Sequence, residues 1–124
     1  MIKLTFCVTR RADISEKDFH DYWLNTHGPL VRSVRKDLHI AKYVQTHAID
    51  TPANEATASV RGAPARFDGI AELWWENEEA LAKAGSPAGI AASQKLLEDE
   101  ARMIDFSKSP LWYNVEHVIF DETT

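Results

Sequence analysis

The sequence predicts an α+β fold in which a four-stranded antiparallel sheet carries helices on one face. Three observations lead there: a strict apolar alternation at the N-terminus, a helical-period apolar stripe directly after it, and later strand-like runs that flank a second helical stretch. Ile2, Leu4, Phe6 and Val8 alternate with Lys3, Thr5 and Cys7, which is the pattern of a half-buried strand. Ser15 with Asp18 three residues on resembles a capping box. Phe19, Trp23, Thr26, Leu30 and Val34 then recur at helical spacing. Gly28 and Pro29 interrupt that stripe, so the helix is expected to kink or restart near His27.

Residues 39–49, HIAKYVQTHAI, are rich in β-branched and aromatic side chains and read as the second strand. Residues 51–66 have no period, and their Pro, Ala, Gly, Ser and Thr content predicts a long surface loop or flap. Residues 67–76, FDGIAELWWE, form the third strand. Asn77 is expected to cap a short helix through Ala84, and Ser86-Pro87 to open a longer one running to about Met103. Residues 112–120, WYNVEHVIF, complete the set as the fourth strand. The order is βαββαβ, the ferredoxin-like split unit. Strands three and four place Trp or Phe on both parities, and a sheet apolar on both faces predicts a homodimer packed sheet to sheet.

The chain of 124 residues, 44% hydrophobic, is long enough for one domain with its own core, so residues 1–124 are expected to form a single unit. The formal charge of -5, with Lys and Arg dispersed among acids, argues against a nucleic-acid partner. The first apolar run is too short for a signal peptide and no segment reaches the length of a membrane span; a cytoplasmic protein without membrane contact is expected. The lone Cys7 lies in the strand alternation, which favours burial over reactivity. A glycine-rich phosphate loop and a GxSxG elbow are both missing from the sequence.

Five histidines remain to be placed. His20 falls one residue off the apolar stripe and is expected to face solvent, and His39 reads as a turn residue. His27 lies near the buried side of its helix, where Pro29 removes a hydrogen bond and frees a carbonyl that could orient the imidazole; the alternative is a purely structural cap. Tyr43, Gln45 and His47 share one face of their strand, as do Asp68, Ile70, Glu72 and Trp74 of theirs, and His117 shares a face with Val115 and Ile119. If those faces coincide, a histidine, a carboxylate, a Tyr and a Trp converge as acid/base chemistry requires; otherwise they form an ordinary polar network between strands. No two histidines have the HxH or HxxxH spacing of local metal ligands, so no metal is expected. Four tryptophans and three tyrosines supply stacking surfaces, with Tyr22, Trp23 and Trp74 the candidate walls of a pocket.

Taken in order, SEKDFHDYWLNTHGPLV, YVQTH, FDGIAELWWE, DEARMIDFSKSP and EHVIF resemble the EthD family of the dimeric α/β-barrel superfamily. The resemblance covers nearly the whole chain. It implies a protomer that dimerises through its sheets into an α/β barrel, with a hydrophobic pocket between sheet and helices. Members are associated with catabolic gene sets, ether degradation among them; fungal relatives resemble decarboxylases or dehydratases of polyketide anthrones, and superfamily relatives include monooxygenases, isomerases and cyclases that need no cofactor. By motif position, His27, His47, Asp68, Glu72 and Asp105 would be the polar pocket members, with Asp68 or Asp105 tuning His27. Residues 51–66 look extended relative to the family pattern.

The expectation is a small enzyme without cofactor acting on a hydrophobic, aromatic or polyketide-like molecule. His47 is the first candidate for base and His27 for acid, with Tyr43 polarising an oxygen and Glu72 orienting a histidine. Asp68, Asp105 and His117 join the aromatic walls as substrate contacts. The competing class is a binding protein that sequesters a hydrophobic intermediate or supports a partner oxidase; it would need the aromatic walls but not the imidazoles.

Overall fold

The computed structural model describes residues 1–123. The strands are β1 (Ile2–Val8), β2 (Lys42–His47), β3 (Gly69–Trp75) and β4 (Leu111–Asn114). The α-helices are α1 (Glu16–Tyr22), α2 (Gly28–Val34), α3 (Pro52–Ser59), α4 (Glu78–Ala82) and α5 (Pro87–Glu100). The sheet order is β2-β3-β1-β4, antiparallel throughout. This is the ferredoxin-like arrangement, with β2 and β4 as edges.

The interruption at Gly28-Pro29 becomes a widened turn rather than a kink. Ser15 Oγ accepts the Asp18 N–H to start α1, and Trp23–His27 then form a π-helical turn before α2 resumes. Pro29 has no N–H to give to the preceding turn, and the Gly28 N–H reaches back to the Trp23 carbonyl. The insertion rotates the chain so that both Trp23 and His27 are buried.

Helix-side residues of the sheet follow from the register. Phe6 of β1 pairs with Ala71 of β3, and Tyr43 and Gln45 of β2 pair with Leu73 and Ala71. Phe6, Val8, Phe19, Trp23, Ala71, Met103 and Ile104 form one apolar cluster, and Val31, Val34, Leu38, Ala92 and Leu96 form a second under α2 and α5. The opposite face carries Lys3, Thr5, Cys7, Glu72 and Trp74.

Six sequence expectations need correction. Within 51–66 stands an eight-residue helix, α3, started by Thr51 as cap and Pro52 in the first turn; it buries no residue, so its stretch has no apolar period to reveal it. The fourth strand ends at Asn114 rather than at 120. Asn114 already pairs with Lys3 at the beginning of β1, so Val115 onward runs past the end of its only neighbour. The second and third strands are shorter at both ends than 39–49 and 67–76, and α5 ends at Glu100 rather than near Met103. His20, expected in solvent, is half-buried and its Nε2 lies 2.9 Å from the Asp68 carbonyl oxygen.

Candidate active site between the sheet and helix α5

His27 leaves the widened turn and points between the sheet and α5. Only 4% of it is exposed, and its Nδ1 lies 2.7 Å from Asp99 Oδ2 on α5. The Tyr22 hydroxyl donates a hydrogen bond to the other Asp99 oxygen. With both carboxylate oxygens accepting, the His27 proton sits on Nδ1 and Nε2 keeps its lone pair, the tautomer a base needs. His27 also lines a void of about 40 Å³ together with Tyr43, Glu100 and apolar residues that include Phe6, Trp23 and Ile104. That volume suits a water molecule rather than a substrate.

Burial and charge separate the groups around the void. Burial lowers the His27 pKa against the raising effect of Asp99, so the pair is a neutral imidazole hydrogen-bonded to a carboxylate rather than an ion pair. Glu100 is pushed up to about 7, first by burial and then by the neighbouring Asp99 charge. Burial drives Tyr43 up to about 12, which keeps it a phenol. Tyr22 is also raised, first by its hydrogen bond to Asp99. A neutral base therefore faces a carboxyl group that holds a proton near neutral pH, which is how one site performs both halves of a proton transfer.

A second polar chain lies on the sheet side. Gln45 Nε2 donates to the Trp23 carbonyl at 2.7 Å and to the Tyr43 hydroxyl at 2.9 Å, and its Oε1 lies 2.8 Å from His47 Nε2. Gln45 thus engages the Trp23 carbonyl of the widened turn, and the His27 ring is held by Asp99 rather than by a backbone carbonyl freed at Pro29. His47 stacks on Trp23 with centroids 4.5 Å apart and lies 4.7 Å from the His20 ring; burial, then His20, lowers its pKa. It does not border the void, from which Gln45 and Trp23 separate it.

The structure does not bring the remaining expected residues to His27. In the β2–β3 register Val44 pairs with Glu72 and Lys42 with Trp74, so Glu72 and Trp74 lie on the face opposite Tyr43, Gln45 and His47. Glu72 binds Lys3 Nζ at 2.8 Å, while the Trp74 indole donates to Glu116 and lies under the Lys42 ammonium at 4.7 Å. Asp68 accepts the Arg10 N–H at 2.8 Å and pairs with the Arg10 guanidinium at 3.4 Å. Asp105 caps a short turn through Ser107, whose hydrogen bonds hold its carboxyl below the usual range. His117 is exposed beyond β4. Cys7 is buried.

Sequence reasoning missed Asp99 and Glu100. A signal existed: Ala92, Leu96 and Met103 mark the buried stripe of the C-terminal helix and its exit, and Asp99 and Glu100 fall on that stripe where an apolar residue belongs. A charged residue at a core position is the informative exception.

The architecture and the buried cluster between sheet and helices place the chain among ferredoxin-like α+β proteins. Residues 11–107 match the EthD domain, and the chain belongs to the EthD family. Similar solved structures include an ethyl tert-butyl ether D (EthD) family protein from Bacillus halodurans C-125, at 17% identity and TM-score 0.59 with 94% of this chain and 99% of that one covered. An EthD-like protein from Ralstonia eutropha JMP134 matches at 18% identity and TM-score 0.58, covering 98% and 95%. A dimeric ferredoxin-like protein of unknown function from Bacteroides fragilis NCTC 9343 matches at 10% and 0.56, covering 91% and 93%. No curated protein matches in sequence. Among the described residues, no helix is long and apolar enough to cross a membrane.

Proposed function

We propose that the protein is an acid/base enzyme working without a cofactor, with His27 as its base. The observation that carries this reading is the buried His27–Asp99 pair at the edge of a void that Glu100 and Tyr43 also line. His27 Nε2 would take a proton from carbon next to a carbonyl, or from a phenol, while Glu100 or Tyr43 gives one to the substrate oxygen. Decarboxylation, dehydration, isomerisation and cyclisation of aromatic or polyketide-like molecules all use that pair of steps. The role first given to His47 passes to His27, because His47 is held in a stack beside Gln45 and away from the void. The protein is further proposed to be a cytoplasmic homodimer formed through the open sheet face, as the similar Bacteroides fragilis protein is described as dimeric.

The test is turnover of anthrones, polycyclic phenols and aryl ketones by wild type, His27→Gln and His47→Gln. His27→Gln should lose about a hundredfold or more in kcat/KM and His47→Gln less than about tenfold. Equal activity of wild type and His27→Gln on a confirmed substrate would remove His27 from the mechanism. Binding by all three proteins without turnover would favour the carrier role.

A further inference from the structure

Beside the edge strand β2, on its helix side, runs a groove of about 650 Å³, the size of a small-molecule site. Its apolar part is made by Leu24 and Pro29 of the helical segment, Val31 of α2, and Ile40 just before β2. Every charged residue that lines it is basic: Arg32, Arg35 and Lys42, in a chain of net charge -5. Neither arginine forms an ion pair among the described residues. Arg35 Nη1 donates to the Arg32 carbonyl at 2.7 Å, which fixes one arm of its guanidinium and leaves its other donors free. Lys42 is engaged over Trp74, so the two arginines are the groove's available cations.

The groove also adjoins the interior. Val31 and Tyr43 line both the groove and the void that holds His27 and Glu100. Val31 and Tyr43 therefore form the partition between them, Tyr43 tethered by its hydroxyl to Gln45. A void of about 40 Å³ admits no aromatic substrate as it stands, so access from this side requires the Tyr43 ring to move.

We propose that this groove binds amphipathic carboxylates, the anion held by Arg32 and Arg35 and the apolar body lying over Leu24, Pro29, Val31 and Ile40 toward Tyr43. That such a molecule is the substrate rests on the acid/base reading above; that the groove binds it does not. A guanidinium presents paired donors that match a carboxylate, and two of them above an apolar floor select an acid over its neutral ester. The anion stays at the mouth, where water still reaches it, while the apolar end is aimed at the partition.

The experiment is an amide NMR titration of the full chain with naphthoate and, separately, its methyl ester, for wild type and the double variant Arg32→Gln/Arg35→Gln. Wild type should bind naphthoate saturably and about tenfold more tightly than the ester, with shifts concentrated at Val31, Ile40 and Tyr43. The double variant should lose that preference, bind the ester as before, and keep its near-ultraviolet circular dichroism. Equal affinity for acid and ester, unchanged naphthoate affinity in the double variant, shifts confined to another surface, or no saturable binding would each overturn the proposal. Because the readout is equilibrium binding, the outcomes separate: charge-selective binding in the groove with no turnover of any compound by wild type defeats only the acid/base reading.

Discussion

At the scale of residues, two buried groups titrate in opposite senses, and both leave a signature in pH. His27 has a folded pKa lowered from 6.5, so the unfolded chain binds more protons there, and its contribution to stability is lost as pH falls from about 6.5 toward the lowered value. Glu100 has a folded pKa raised from 4.5 to about 7, so the folded chain holds the extra proton; the associated destabilisation is absent below 4.5, grows to about 7, and is constant above. Glu100→Gln removes that term. Thermal unfolding should show a higher Tm for Glu100→Gln at pH 8 and little difference from wild type at pH 4. A Tm gain independent of pH would mean that Glu100 is not buried against its charge. The same two groups should bound catalysis, with kcat/KM falling on the acid side at the lowered His27 value and on the alkaline side near 7. In Glu100→Gln the alkaline fall near 7 should disappear, and a profile that keeps it would assign that limb to another group.

At the scale of elements, the site depends on how the widened turn docks on the sheet. Phe19 and Trp23 stack 5.3 Å apart on consecutive turns, and the Trp23 ring lies directly over Gly69 at the start of β3. A Cβ built on Gly69 would come within 2.5 Å of the Trp23 ring and 2.6 Å of the Thr46 carbonyl oxygen. Glycine is there for close approach, not for an unusual backbone angle. Gly69→Ala should therefore destabilise by about 1–3 kcal/mol and displace the turn that carries His27. Urea unfolding measures the first effect and the His27 imidazole NMR signals the second; wild-type stability would show that the ring has room to withdraw. Gly28, by contrast, has 3.4 Å to its nearest neighbour, so Gly28→Ala should be tolerated far better.

For the whole molecule, the open face of the sheet carries Thr5, Cys7, Val44, Thr46 and Trp112 beside the Lys3–Glu72 pair, a mixed surface, and Val118, Ile119 and Phe120 beyond β4 are exposed. Burying this face against a second copy predicts a light-scattering mass of about 28 kDa, two chains of 14.0 kDa each. A mass of one chain at micromolar concentration would rule the dimer out. The sequence by itself determined the βαββαβ order, α3 apart, and the apolar side of β1 and of the first helix: alternation over Ile2–Val8, the stripe through Phe19 and Trp23, and the break at Gly28-Pro29 are local patterns, set by backbone geometry within a few residues. It also singled out His27 and Tyr43, because one sits at a broken helix and the other shares a strand face with Gln45 and His47. Only the tertiary structure decided which strand faces coincide, since pairing Gln45 with Ala71 rather than with Glu72 is a one-residue choice of register that puts Glu72 and Trp74 on the other side of the sheet. It likewise decided that His27 meets Asp99, 72 residues away, rather than Asp68 or Asp105. That contact depends on where α5 lies across the sheet, which long-range packing fixes and no local pattern encodes.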